Sequence, residues 1–180
     1  KQVIYESGIW RKGLISASSQ IHRFMKLRRY REDSIAITER EIMIGFFAVR
    51  KLIDSKLKLS PNFAKKLIPV ERFQSVEAMG SFERFEFYDQ YDLDNSIPDE
   101  VTTLYLSNQF IHSLLFNFSW DEHDRPLGVH FTSDYDRTKH CFHISLQQIA
   151  LVFEEAAASK AVSYRLQDDP KGGRNIVATN

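Results

Sequence analysis

The spacing of apolar residues changes along this chain, and the change restricts the folds available to it. Residues 9–31 repeat apolar side chains every three or four positions, the pattern of an amphipathic helix: Ile9, Trp10, Leu14, Ala17, Ile21, Phe24 and Met25. Thr38 and Glu41 have capping-box spacing, which predicts a second helix over 39–57. From Phe116 the period becomes two, which is typical of strands.

The segment 96–160 contains both periods. Ser96, Pro98 and an acidic first turn predict a third helix, with one face made of Val101, Leu104, Asn108, Ile111 and Leu115. Alternation at 116–120, then GVHFTS and DRTKHCFHI across two turns, predicts a three-stranded antiparallel meander. Ser145 and Gln148 form a capping box that predicts a fourth helix. The expected fold is α+β and mainly α: a helical bundle with an inserted or appended three-stranded meander.

The 180 residues suit a single domain with one core. Its predicted parts are two long helices in 1–58, a loop-rich connector in 62–95, helix, meander and helix in 96–160, and a tail or late hairpin in 161–180. Phe85 and Phe87 alternate as in one short strand of the connector, and the hairpin would turn at Asp169 to Gly172.

Charge and cysteine content limit the possible partners and compartment. Residues 1–58 hold 13 Lys and Arg against 6 Asp and Glu, and the remainder holds 11 against 18, so the two parts carry +7 and −7. This asymmetry suits a polyanion at one end, association with a second copy or another protein, or merely a solvated surface. No apolar run approaches the roughly 18 residues that span a bilayer, and the lone Cys141 favours a reducing, cytoplasmic setting.

Two polar residues interrupt the apolar face of the predicted third helix. Asn108 and His112 are one helical turn apart, so their side chains share one side of the helix. Burying both is costly unless each finds a hydrogen-bond partner. They are therefore either satisfied within the core or placed on a shared cleft.

The segment from Leu106 to Ser113 resembles the signature of HEPN domains, in which an Arg, a polar residue and a His lie on an apolar helix. The resemblance implies a cytoplasmic bacterial domain acting on RNA or nucleotides, as in many toxins and defence effectors. It further implies metal-independent RNA cleavage, often in a site shared by two copies. Ser107 stands in place of the family's Arg, so we expect ribonuclease activity to be altered or lost.

Under this resemblance His112 is the candidate general acid or base, because its usual pKa near 6.5 permits proton exchange at neutral pH. Asn108 would orient a phosphate or the imidazole. Arg28, Arg29 and Arg50 are the candidate RNA-binding cations that would replace the missing charge. No metal or cofactor is predicted.

Two alternatives remain open on the sequence. One is a non-catalytic module that binds a nucleic acid or a protein, and the other is an enzyme with a carboxylate site in 83–100. Asp89, Asp92 and Asp94 lack the glycine and glutamate spacing of a calcium loop. A zinc cluster of His130, His140 and His143 is not expected, since an odd separation puts strand residues on opposite faces.

Overall fold

A computed structural model describes residues 5–55, 58–60, 62–76, 89–159, 163–168 and 174–179. Its helices are α1 (Ser7–Phe24), α2 (Glu32–Asp54), α3 (Thr103–Ile111) and α4 (Leu146–Ala158). Its strands are β1 (Leu67–Gln74), β2 (Ile97–Thr102), β3 (Ser113–Trp120), β4 (Pro126–Ser133), β5 (His140–Ser145), β6 (Ser163–Asp168) and β7 (Arg174–Thr179).

Strands β1 to β5 form one antiparallel sheet in the order β2-β1-β5-β4-β3. The predicted helical bundle with a three-stranded meander is therefore wrong, because the sheet has five strands. The meander β3-β4-β5 is present, and β1 extends it through pairs such as Glu71 with His143. β6 and β7 form a separate antiparallel hairpin, the second of the two alternatives for the C-terminal segment.

Strand β2 occupies the place where the third helix was predicted to begin. It is at the edge of the sheet and pairs with β1. An edge strand tolerates Pro98, which cannot donate to a ladder, and the charged side chains that follow it. Helix α3 starts later, at Thr103, where the Thr102 hydroxyl accepts from the Tyr105 N–H at 3.2 Å. Leu115, assigned to that helix by its spacing, lies on β3.

The first two helices also differ from their predicted bounds. α1 ends at Phe24, well before residue 31. α2 begins at Glu32, where the Ser34 hydroxyl accepts from the Arg31 N–H at 3.1 Å. Thr38 is fully buried within α2 and donates to the Ser34 carbonyl at 2.8 Å, so it caps nothing. The Ser145 prediction is confirmed, because its hydroxyl accepts from the Gln148 N–H at 3.1 Å.

The two faces of the sheet are packed differently. On one face the helices enclose an aromatic core, in which Phe110 stacks between Phe46 and Phe131 at centroid distances of 4.0 and 4.5 Å. On the other face, the described residues form a small cluster of Phe73, Tyr91, Leu115 and Cys141 with two partly buried leucines.

Some predictions fall outside the described residues: the short strand at Phe85 and Phe87, and the hairpin turn from Asp169 to Gly172. Over the described ranges, no helix combines the length and apolar content needed to cross a bilayer.

Candidate nucleic-acid interface

The predicted site on α3 brings together three of its proposed residues. Asn108 is half-buried, and its side-chain oxygen accepts from Arg50 Nε at 2.8 Å. His112 is exposed at the C-terminal end of α3, where its backbone N–H donates to the Asn108 backbone carbonyl at 3.0 Å. Arg50 is also paired with Asp54 one turn along α2, so part of its charge is neutralised. The exposed His112 therefore lies at the end of the helix whose Asn108 amide is already hydrogen-bonded to Arg50.

Ser107, the residue in place of the HEPN arginine, is fully buried. Its hydroxyl donates to the Thr103 carbonyl at 2.8 Å, one turn earlier on α3. A side chain at this position therefore faces the core. Arg50 is the residue that brings a guanidinium to this turn of α3.

The remaining two predicted cations lie at a different place. Arg28 and Arg29 follow α1 and line a cavity of about 950 Å³ between the α1–α2 connection and the β3–β4 turn. We call it the Arg–aromatic cavity, and its lining residues are Leu27, Arg28, Arg29, Tyr30, Ile35, Trp120, His123, Asp124 and Arg125. The five predicted site residues are thus divided between two regions.

Aromatic rings form one wall of the Arg–aromatic cavity. Tyr30 and Trp120 meet edge to face at a centroid distance of 5.1 Å, and Phe24 lies 5.1 Å from Tyr30. The Tyr30 hydroxyl is buried and has no hydrogen-bond partner in the part of the chain that the structure describes. Burial raises the pKa of Tyr30, so this hydroxyl stays protonated and can donate. A buried donor left without a partner is costly, and a bound acceptor would satisfy it.

The three arginines of the cavity differ in how they are neutralised. Arg125 is held by Asp121 through Nε at 2.8 Å and through a second nitrogen at 2.7 Å. The Arg125 and His123 backbone N–H groups also donate to Asp121, which lowers the pKa of that carboxyl. Arg28 and Arg29 are exposed, and neither has an acidic partner within 4 Å among the described residues. They are the cations available to an anionic ligand.

Arg28 and Arg29 were predicted from the sequence, but the aromatic wall was not. Tyr30 was detectable in principle, because an aromatic residue directly after two arginines suits stacking beside a phosphate contact. Trp120 and Arg125 come from β3 and its following turn, about ninety residues further along, and no local pattern predicts that approach.

Comparison of the chain with protein-family models, with curated proteins and with solved structures gives no match. The resemblance around Asn108 and His112 therefore stays a prediction. Within the described ranges, no group of three or more His, Cys, Asp or Glu side chains could hold a metal ion.

Proposed function

We propose that this domain binds single-stranded RNA in the Arg–aromatic cavity. The observation that carries the proposal is a pair of guanidinium groups, Arg28 and Arg29, that have no acidic partner among the described residues and lie beside the Tyr30–Trp120 wall. Proteins that bind single strands combine these two chemistries: cations track the backbone while bases stack on aromatic faces.

Each lining group has a distinct part in this proposal. Arg28 and Arg29 contact phosphate oxygens, for which the forked guanidinium is well shaped. The half-buried Trp120 offers a face to a base, and the Tyr30 hydroxyl donates to an acceptor of the base or sugar. A volume of about 950 Å³ lies at the upper end of the roughly 300–1,000 Å³ typical of ligand pockets, so a nucleotide fits.

The test is fluorescence anisotropy of a labelled single-stranded RNA, titrated at several salt concentrations. Affinity falls with salt with a slope of about 0.7 per neutralised phosphate on single strands. Replacing Arg28 and Arg29 by Ala should therefore weaken binding and reduce the slope by about 1.4. Trp120→Phe should weaken binding without changing the slope, because stacking releases no counterions.

The matched control replaces two exposed lysines remote in sequence from the cavity, Lys12 and Lys65, by Ala. It removes the same net charge from the surface. An equal loss of affinity in the control and in the Arg28/Arg29 variant would mean that RNA responds only to surface charge. That result would refute binding in the Arg–aromatic cavity.

A second candidate function is metal-independent RNA cleavage at His112, altered or weak, in a bacterial toxin or defence setting, as the HEPN resemblance implies. The supporting observation is that Arg50 donates to Asn108, which places a guanidinium beside the turn that carries His112. A mixed RNA pool incubated with the protein in a chelator should be cleaved, and His112→Ala should lose cleavage while His22→Ala, on α1 and outside both candidate sites, keeps it. Cleavage that survives His112→Ala would remove this candidate.

The proposal extends to compartment and partners. RNA is available in the cytoplasm, and Cys141 is a buried free thiol, as suits a reducing compartment. A site shared by two copies predicts a homodimer, which sedimentation in the presence and absence of RNA would reveal.

A further inference from the structure

A hydrogen-bonded chain of three side chains crosses the sheet on the face opposite the main helical core. His143 on β5 lies two residues from Cys141, and Glu71 on β1 lies two residues from Phe73, so both share the face of that small cluster. His143 Nδ1 is 3.0 Å from Glu71 Oε2, and His143 Nε2 is 2.8 Å from the Ser119 hydroxyl oxygen on β3. Serine, imidazole and carboxylate are therefore connected in that order.

The carboxylate fixes which imidazole nitrogen carries the proton. An ionised carboxylate can only accept, so Nδ1 must donate to Glu71. In the neutral ring Nε2 is then an acceptor, and the Ser119 hydroxyl donates to it. Burial lowers the pKa of His143, with Glu71 acting in the opposite direction, so the ring is neutral at neutral pH. This is the protonation pattern in which an imidazole can take a proton from serine.

Gly128 makes the connection across the sheet possible. Ser119 and His143 are on strands separated by β4, and Gly128 is opposite Ser119 on β4. A Cβ at Gly128 would lie 2.4 Å from His143 Nε2 and 2.3 Å from the Ile144 carbonyl oxygen. Only glycine leaves room for the imidazole to pass over β4. A register shift between Ser119 and Trp120 follows directly, and such irregularities often re-aim side chains beside active sites.

The chain of three side chains is partly open to solvent. The side chains of His143 and Glu71 are 15% and 50% exposed. Both line a cavity of about 270 Å³, together with Pro69, Ser145 and Gln148. Ser119 does not line this cavity but is itself partly exposed beside His143, so a small ester can approach its hydroxyl from solvent.

We propose that Ser119 is a nucleophile toward small activated esters, with His143 as its general base and Glu71 as a positioning residue. This activity is independent of RNA binding. The Ser119 oxygen forms a bond to the acyl carbon while its proton passes to His143 Nε2. The tetrahedral intermediate collapses, the ester C–O bond breaks, and the leaving alcohol or phenol takes the proton from Nε2. Water then attacks the acyl-serine through the same base, releasing the carboxylic acid and restoring Ser119.

The experiment labels the full chain with a fluorophosphonate probe, which forms a serine–phosphorus bond and expels fluoride, and follows it by intact mass and peptide mapping. Hydrolysis of p-nitrophenyl acetate provides a second readout. We expect one label on Ser119, none in Ser119→Ala, and labelling slowed about 10²-fold in His143→Gln. Ser19→Ala, which removes an exposed serine of α1, should label like the wild type.

Equal labelling of Ser119→Ala and wild type, or no labelling of either, would overturn the proposal. Circular dichroism confirms that each variant is folded. Glu71→Gln distinguishes positioning from a structural role through the pH dependence of labelling. The groups facing His143 are Glu71 from β1 and His130 from β4. Because Glu71 raises the pKa of His143, Glu71→Gln should move the midpoint of the rate profile to lower pH. A slower rate with an unmoved midpoint would contradict the assigned role of Glu71.

Discussion

His130 should make this protein lose stability as the pH falls below neutrality. His130 lies on β4 opposite His143 on β5, and their ring centroids are 4.9 Å apart. Phe73 contacts the same ring edge to face at 5.6 Å. Burial, and then the neighbouring His143, lower the pKa of His130 to about 4 from the ordinary value of 6.5.

Proton uptake by His130 sets the direction and the size of this change in stability. Below pH 6.5 the unfolded chain binds a proton at His130, whereas the folded chain does not until about pH 4. The free energy of unfolding therefore falls with pH across this window, by about 1.4 kcal/mol per pH unit at most. The pKa difference of about 2.5 corresponds to a total of about 3 kcal/mol for this group. Burial also lowers the pKa values of His140 and His143, so the wild-type slope includes their contributions.

The assay is urea unfolding of the wild type and His130→Phe between pH 7 and pH 4.5. Phe keeps a ring against Phe73 and cannot titrate, so the difference between the two proteins isolates His130. Between pH 7 and pH 4.5 the free energy of unfolding should fall less in the variant than in the wild type, by a difference of about 2 kcal/mol or more. His123→Gln, which removes an exposed histidine, should follow the wild type. Parallel pH curves for His130→Phe and the wild type would refute the reasoning.

Two further predictions concern the helices. At Gly45 on α2 a Cβ would lie 2.3 Å from the Phe153 ring, so Gly45→Ala should destabilise the fold by about 1–3 kcal/mol despite the better helix propensity of Ala. Adding Phe153→Leu should recover part of that loss in a double-mutant cycle by urea unfolding, and strictly additive effects would contradict the clash. Removing the α4 cap with Ser145→Ala should cost about 1 kcal/mol, whereas Ser145→Asp should cost less, as thermal unfolding would show.

The fold was predictable where one element's own residues decide its structure. Ser145 caps α4 through a contact three residues away, and the strands of the meander alternate in a way that any half-buried sheet requires. Strand β2 was wrongly predicted as the start of a helix, because its pairing with β1 decides its structure. Pro98 and the acidic residues after it have the same sequence pattern at a helix start and on a sheet edge, and only the neighbouring strand distinguishes the two.

The candidate sites show the same division. Arg28 and Arg29 were identifiable as a basic pair, but Trp120 joins them only after β3 has packed against the end of α1. The contact between Arg50 and Asn108 spans 58 residues and was anticipated only as a hypothesis. His143 was considered as a metal ligand, and its partners Glu71 and Ser119 are 72 and 24 residues away, so sequence spacing contained no signal for them.

The unequal covering of the sheet explains why its two faces suit different chemistry. The helices bury one face in aromatic side chains, and the Arg–aromatic cavity lies at the margin of that face, where Trp120 ends β3 beside Arg28 and Arg29. The opposite face has a smaller apolar cluster, which leaves room for Glu71, His143 and Ser119 to form hydrogen bonds across four adjacent strands. Because strand side chains alternate, β3 contributes a residue to each candidate site: Trp120 faces the arginines, and its neighbour Ser119 faces the imidazole. Trp120→Phe should therefore impair RNA binding and spare serine labelling, and Ser119→Ala should do the reverse.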